Sequence, residues 1–484
     1  MKIRRPAWWG GPVHVGYTIV VFVILASLDN AALTMLPAMV LPVSDSLNAS
    51  ETAIGLLSGG TILVVAITAV FWGYFGDSRT RKPLLFWGTI IWATGSLLSA
   101  TAGSFSQLAM FQMIVAVGLG SIASIGFSVI SDFVGPARRG LAMSFWGISQ
   151  GLGGIFGALL ASQLGAENFR IPLVVIAVAG FIFAVLYIPT FEAPRGYKEP
   201  ALARLYEAGN DYEYTIDRSQ IPVIFKRRTN VWLILQGLTA QLAYGSLIWV
   251  PLLYQEKVIA QGYDPVTGTR VGGLFATLFT LGALFSILFG HLGDRLQRRS
   301  LSGRARLSMF GILGAIPFFL IFFWIPLNGL EVTNGAGTAT LIPEVLASLF
   351  TNPWVTAAFV SALIALALTS ADSPNWFALI SDVNVPEHRG TVFGMGSLIN
   401  GVGRSLGAAL TAAMASAIER AVPPPFNWAI GLSLFQVFFL PTGWCYHKAS
   451  ETCPADIIEV QELLVERVDA VAGSPPGGGN PVMR

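Results

Sequence analysis

Charge is scarce in this chain: only 12% of its 484 residues are Asp, Glu, Lys or Arg, about half the share found in soluble domains. A well-solvated globule of this length is therefore excluded. The net charge of +2 leaves no basic footprint for a nucleic acid. Cysteine is nearly missing. Cys445 and Cys453 lie at the end of the last apolar run and just beyond it, which rules out a disulfide framework or a zinc site. No phosphate-cradling glycine loop, metal-ligand spacing or nucleophile–base set occurs. Enzymatic chemistry, a bound cofactor, a metal and nucleotide-driven work are thus not expected. Energy for any work must come from an ion gradient or from the gradient of the cargo itself.

What the chain has in abundance is apolar length. Hydrophobic residues make up 54% of it, with 32 Phe and 13 Trp, and Trp is favoured at lipid–water boundaries. Runs long enough to span a bilayer, about 20 residues each, cover 15–41, 52–76, 83–102, 105–131, 141–163 and 171–191. Six more cover 231–254, 271–292, 307–327, 355–380, 392–417 and 428–446. The expectation is an all-α membrane protein of twelve spans. Lys2, Arg4 and Arg5 precede the first run, which lacks a small-residue cleavage site, so it reads as a retained span and not a signal peptide. With the amino terminus inside, 24 of the 29 Lys and Arg fall in inner segments, four in outer segments, and Arg404 within a run. That asymmetry predicts both termini in the cytoplasm, and the plasma or inner membrane is the expected location.

Two motifs recur. Gly73-x-x-Gly76-Asp77-x-Arg79-x-Arg81-Lys82 follows the second run, and Gly290-x-x-Gly293-Asp294-Arg295-x-x-Arg298-Arg299 follows the eighth. Asp132, Pro136, Arg139 and Gly140 follow the fourth run with the same spacing as Asp382, Pro386, Arg389 and Gly390 after the tenth. The first pair is offset by 217 residues and the second by 250, which places an insertion in outer segment 328–353. Repetition in register predicts two pseudo-symmetric six-helix bundles with a substrate site between them near mid-membrane. The domain expectation is a bundle over 1–191, a charged cytoplasmic linker over 192–229 and a second bundle over 230–447. A cytoplasmic amphipathic helix and disordered tail then cover 448–484. The helix is expected over 455–472, where Ile457, Val460, Leu464, Val468 and Val471 recur at helical spacing. The repeated loops predict a cytoplasmic gate built from Gly73, Asp77, Arg81 and Arg139 in one half. Gly290, Asp294, Arg298 and Arg389 are its counterparts in the other.

The loop around Asp77, with its copy around Asp294, resembles the signature loop of the major facilitator superfamily. Within that superfamily the chain resembles the Spinster branch, through Phe191-x-x-Pro194-Arg195-Gly196, through Gly245-x-x-x-Trp249-x-Pro251, and through Asp29 in the first run. The resemblance implies a carrier of lysophospholipids or sphingoid lipids, proton-coupled in prokaryotic members. The chain departs from that branch where Gln112 stands for an Arg, Leu119 for a Glu and Asn30 for a basic residue. These departures leave Asp29 isolated.

Ionisable residues deep in lipid are costly and are functional candidates by default. Asp29 is the proton-coupling candidate, against a structural role capped by Asn30 and a backbone donor. Arg404 lies one turn after Asn400 and reads either as a holder of an anionic head or as half of an ion pair. Asp372, with Asn375 and Trp376 on its face and Pro374 beside it, reads as a cavity residue or as part of a helix kink. Gln150 corresponds to Asn400 under the 250-residue offset. Gln112, Gln236, Gln241 and Trp249 complete the polar candidates, each also readable as a helix–helix bond. The functional expectation is an alternating-access secondary transporter, acting as a monomer in the bilayer on an amphiphilic or lipid substrate, with a proton as coupling ion. A drug or small-organic-anion exporter of the same fold, and a transporter-shaped sensor without flux, are the alternatives.

Overall fold

The computed structural model describes residues 11–78, 80–126, 129, 139–191 and 221–472. Among the described residues all regular structure is helical. In the first part of the chain α1 spans Pro12–Ala38, α2 Glu51–Ser78, α3 Arg81–Ala100, α4 Phe105–Ser121, α5 Arg139–Leu164 and α6 Arg170–Tyr187. In the second, α7 runs Arg228–Ser246 and continues through a tight turn into Val250–Ile259. Helix α8 runs Pro265–Phe279 and resumes as Ser286–Arg299. Helix α9 is Gly303–Trp324, α10 is Pro353–Thr369 followed by Asp372–Asp382, and α11 is Pro386–Ile418. Helix α12 is Phe426–Gln436 followed by Phe439–Ala472.

Ten helices are long and apolar enough to cross a membrane, among the described residues. The two long helices outside that set are α5 and α11. Helix α5 is 26 residues long, and its shorter apolar stretch Gly151–Leu164 is the part whose side chains are described throughout. Helix α11 has the length, 33 residues, but Asn400, Arg404 and a series of small residues dilute its hydrophobicity. The chain is therefore an all-α, multi-pass membrane protein with about ten apolar helices.

Local chemistry sets several boundaries. Asp264 accepts from Thr267 N at 3.0 Å and Pro265 opens α8. Asn352 accepts from Trp354 N and Val355 N, and Pro353 opens α10. Both are N-caps followed by a proline whose missing N–H costs the first turn nothing. The break in α10 at Ser370 and Ala371 follows from Pro374, whose ring excludes the carbonyl four residues back and which cannot donate to it.

The outer insertion contains a helix, Thr338–Thr351, packed against α8 and α10. Two segments differ from the sequence expectation. The segment 455–472 is not a separate short helix, because α12 continues unbroken through it to Ala472; Ile457 and Val460 of that stretch are buried. Part of the expected linker, Ile221–Lys226, is a helical turn leading into α7. Linker residues 192–220, the loop of Asp132 and Pro136, Arg79, and tail residues 473–484 lie outside the described residues.

Helices in lipid gain little from burying one apolar surface against another, so close backbone approach drives their packing. Helices α1 and α5 pair, as do α3 with α4 and α6, α7 with α11 and α12, and α9 with α10 and α12. The first part meets the second through α2 on α11 and α5 on α8 and the end of α10. On the α2–α11 seam Gly59 lets Ser405 and Ala409 come so close that a Cβ would sit 3.1 Å from each. Ser405 Oγ donates to Gly59 O at 2.7 Å. Nearer the face opposite the basic loops, Thr52 and Ser416 hydroxyls lie 2.6 Å apart and Gln255 Nε2 donates to Ala38 O at 3.2 Å. Gln163 Nε2 donates to Arg270 O, and Arg270 pairs with Glu167. Toward the basic face, Phe377 of α10 packs into an apolar cluster that includes Phe22, Leu85, Ile125 and Tyr187.

Candidate functional site

Helix α11 is sorted by its contacts. Gly401 and Ser405 turn to α2, Gly403 and Gly407 turn to α7, and Leu406 and Leu410 are exposed. At 100° per residue the remaining arc faces inward between α2 and α7, and Arg404 lies on it. Arg404 is deep in the molecule yet keeps accessible surface. Among the described residues no carboxylate lies within ion-pair distance of it, and its Nε has no hydrogen-bond partner. One turn earlier, the Oδ1 of Asn400 is likewise unpartnered and presses toward Gly237 of α7. Gln241 is half-buried beside Gly403. Arg404, Asn400 and Gln241 are thus brought together on the α7–α11 seam, as a cation and an amide with unused hydrogen-bonding capacity.

Asp29 is not part of that group. It is buried against Trp92 of α3, and its Oδ1 and the Trp92 indole N–H are both without a partner in hydrogen-bonding geometry. Asn30 does not cap it: the Asn30 amide donates to Ala26 O at 2.8 Å, and the residue sits where Gly153 of α5 passes. No pair forms between Asp29 and Arg404.

Asp372 does not line open space. It is caged inside the second part of the chain, where Oδ1 accepts from the Tyr446 hydroxyl and from Gln236 Nε2 at 3.2 Å. Its Oδ2 accepts from the Tyr244 hydroxyl at 3.2 Å. Asn375 donates to Ala371 O at 2.8 Å across the break in α10. Trp249 is fully buried, its indole N–H donating to Ala408 O at 2.8 Å. Gln112 is a helix–helix bond, donating to Ser99 Oγ at 3.1 Å. In this structure Asp372, Asn375, Trp249 and Gln112 are all engaged in packing and hydrogen-bond networks. The side chain of Gln150 lies outside the described residues.

At the basic ends of the helices, Asp294 is buried on α8 and bound by Arg304 at 2.6 Å, and Arg304 also binds Asp382 at the end of α10. Arg298, expected in the gate, is exposed. Arg389 donates to Ser381 O at 3.0 Å and Asn384 O at 3.1 Å, tying α11 to the end of α10. Arg81 is buried. Asp77 and Arg139 fall on the ends of α2 and α5, with their side chains outside the described residues. Gly73 leaves ordinary van der Waals room toward Ser124, and Gly290 is buried on α8. The tight positions are the second glycines: a Cβ at Gly76 would meet Ile125 of the α4 end at 2.9 Å, and one at Gly293 would meet Asn375 of α10 at 1.8 Å. The repeat therefore sets the same close contact in both parts, α2 on α4 and α8 on α10.

Sequence reasoning passed over Trp92, Tyr244, Tyr446 and Arg304. Arg304 carried a usable signal, being a cation in the first turn of an apolar run. The aromatic partners carried none, since their roles depend on which helix faces which.

Comparison with known proteins agrees with this geometry. The family model of the Major Facilitator Superfamily matches residues 19–343, more than half of the chain. Protein spinster homolog 3 of Danio rerio is 25% identical over 318 residues, 62% of this chain and 61% of that protein. Sphingosine-1-phosphate transporter SPNS2 of Xenopus tropicalis is 24% identical over 299 residues, 59% of this chain and 56% of that protein. The matches thus span less than two thirds of those relatives. Among solved structures, the fold is similar to a bacterial homolog of the human lysosomal transporter Spinster in an inward-facing, unoccupied conformation. That likeness has a TM-score of 0.66 at 19% identity, covering 92% of this chain and 99% of the other. Helices, seams and repeated loops together with the family match lead to one assignment: the chain belongs to the Major Facilitator Superfamily, a family of membrane carriers and not of enzymes.

Proposed function

We propose that the chain is a secondary transporter of the Spinster branch, moving a lysophospholipid-like or sphingoid amphiphile with an anionic head by alternating access, with protons as coupling ion. In this reading twelve spans form two six-helix bundles, over 1–191 and 230–447, joined by a cytoplasmic linker. Both termini are cytoplasmic, and the monomer sits in the plasma or inner membrane. The loops of Asp77 and Asp294 work the cytoplasmic gate.

The observation that carries the substrate class is Arg404. A guanidinium stays charged at any working pH, and an unpaired one is costly at membrane depth. An anionic head supplies the missing partner. The apolar surroundings suit the tail.

Uptake into proteoliposomes tests this with labelled sphingosine 1-phosphate, and with sphingosine as the partner lacking the phosphate. Hydrogen bonds to a charged group contribute about 1.5–3 kcal/mol, so Arg404→Gln should slow sphingosine 1-phosphate uptake by about 10- to 100-fold. Uptake of sphingosine should change little. Flux of small organic anions or drugs in place of both lipids would replace this reading with the exporter. Tight lipid binding without flux in wild-type protein would replace it with the sensor.

A further inference from the structure

Asp372 has a surrounding unlike that of any other acid described. It is buried in the C-terminal half where α10 breaks, with three donors on it and no cation. Two of the three partners can also serve a protonated acid. Gln236 gives its amide N–H₂ to Oδ1, while its own Oε1 is buried with no partner. Rotating that amide by half a turn presents an acceptor to a carboxylic O–H, and the two orientations are nearly equal in shape. The Tyr244 hydroxyl lies 3.2 Å from Asp372 Oδ2 and 3.4 Å from Thr369 O, so it can leave the carboxyl and still donate. The cage is thus satisfied whether Asp372 is ionised or neutral.

The groups facing Asp372 are few. Tyr244 comes from α7 and Tyr446 from α12, and α9 brings Ser308, bound to Ala371 O at 3.2 Å. The ions of α8, α9 and the far end of α10, namely Asp294, Arg304 and Asp382, are bound to one another. From α11, Arg389 is bound to carbonyls of Ser381 and Asn384, and His388 is buried.

We propose that Asp372, caged by Gln236, Tyr244 and Tyr446, is a reversible proton-binding site that loads one proton when Arg404 takes an anionic head. This rests on the substrate reading above for its second clause. The two sites share α7: Tyr244 binds Asp372, and the next residue, Gly245, packs against the backbone of Arg404 with a would-be Cβ 2.2 Å from its carbonyl oxygen. Charge gives the direction. Empty, the pair is Arg404 cationic and Asp372 anionic. Loaded with a monoanion, it stays neutral only if Asp372 gains a proton, and the occluded site avoids the cost of a buried net charge in that way as the halves reorient.

The test is pH-difference infrared spectroscopy on the purified full chain in liposomes, paired with sphingosine 1-phosphate uptake under an imposed pH gradient. One protonated-carboxyl band should titrate in wild type, vanish in Asp372→Asn and survive in Asp29→Asn. Tyr446→Phe, which keeps the acid, should shift the band and its midpoint. Gln236→Leu should shift it as well. Asp372→Asn should retain lipid exchange without a gradient and lose the acceleration by a pH gradient. Should wild type show the Asp372 band but move no sphingosine 1-phosphate, the substrate reading falls and the proton site stands. A band set unchanged in Asp372→Asn, or unmoved by Tyr446→Phe and Gln236→Leu, overturns the proposal.

Discussion

Arg304 offers the sharpest test of the energetics of the repeated loop. Its guanidinium bridges Asp294 of α8 and Asp382 of α10, and the Arg304 and Asp294 side chains are 6% and 8% exposed. Asp382 is 20% exposed and can find water if its partner is removed. Asp294 cannot. Removing one member of a buried pair costs about 3–5 kcal/mol, mostly because the other charge is left uncompensated. Arg304→Gln should therefore cost that much. If the C-terminal half unfolds as a unit, each kcal/mol lowers Tm by about 2–4 °C, so the fall is on the order of 10 °C. Adding Asp294→Asn removes the stranded charge, so the double variant should recover more than half of the loss. Melting in detergent micelles by intrinsic fluorescence, repeated with SDS titration, measures the cycle. Additive losses from the two substitutions, or an Arg304→Gln protein as stable as wild type, would refute the argument that this bridge holds α8, α9 and α10 together.

Three further outcomes follow from the packing. Gly293→Ala forces a methyl onto Asn375, which must abandon its 2.8 Å bond to Ala371 O; it should cost about 1–3 kcal/mol in the same melting assay, while Gly73→Ala should be nearly silent. The double substitution Thr52→Cys with Ser416→Cys replaces hydroxyls 2.6 Å apart and should cross-link readily in membranes. If α2 and α11 must part on that face during the cycle, oxidation stops uptake and reduction restores it; full uptake by the cross-linked protein would count against alternating access through this seam. Trp249→Phe keeps most of the ring but loses the bond to Ala408 O, and should lower stability by about 1 kcal/mol without changing which lipids are moved, as shown by competition among unlabelled amphiphiles.

What the sequence disclosed and what it concealed divide along one physical line. Apolar length, basic loops and a repeated Gly-x-x-Gly-Asp are properties of single segments, so helix positions and the correspondence of α2 with α8 could be read directly. The polar residues within helices were also visible, but their partners were not. Gln236, Tyr244 and Tyr446 lie 136, 128 and 74 residues from Asp372. Only the assembled helices show that they converge on one carboxylate, and that Trp249 and Gln112 are spent on helix seams. The outer helix Thr338–Thr351 was hidden for a different reason, since Gly335 and Gly337 before it and Pro343 within it leave no long apolar run.

Arg404 makes the same point from the opposite side. Its sequence setting left two readings open, an internal ion pair or a bound anion, and what bears on them is that among the described residues no carboxylate lies within ion-pair distance. Both deep acids, Asp29 and Asp372, are taken up inside their own halves by α3 and by α7 with α12 respectively. No described acid is left to face the guanidinium. On the proposed reading, the anionic head of the substrate supplies the counter-charge that no described acid provides. If Asp372 were instead the resting partner of Arg404 in another conformation, Arg404→Gln would free the Asp372 cage and change its infrared band even without lipid. In the arrangement seen here that band should be insensitive to Arg404→Gln until sphingosine 1-phosphate is added, and a lipid-free change would refute the separation of the two sites.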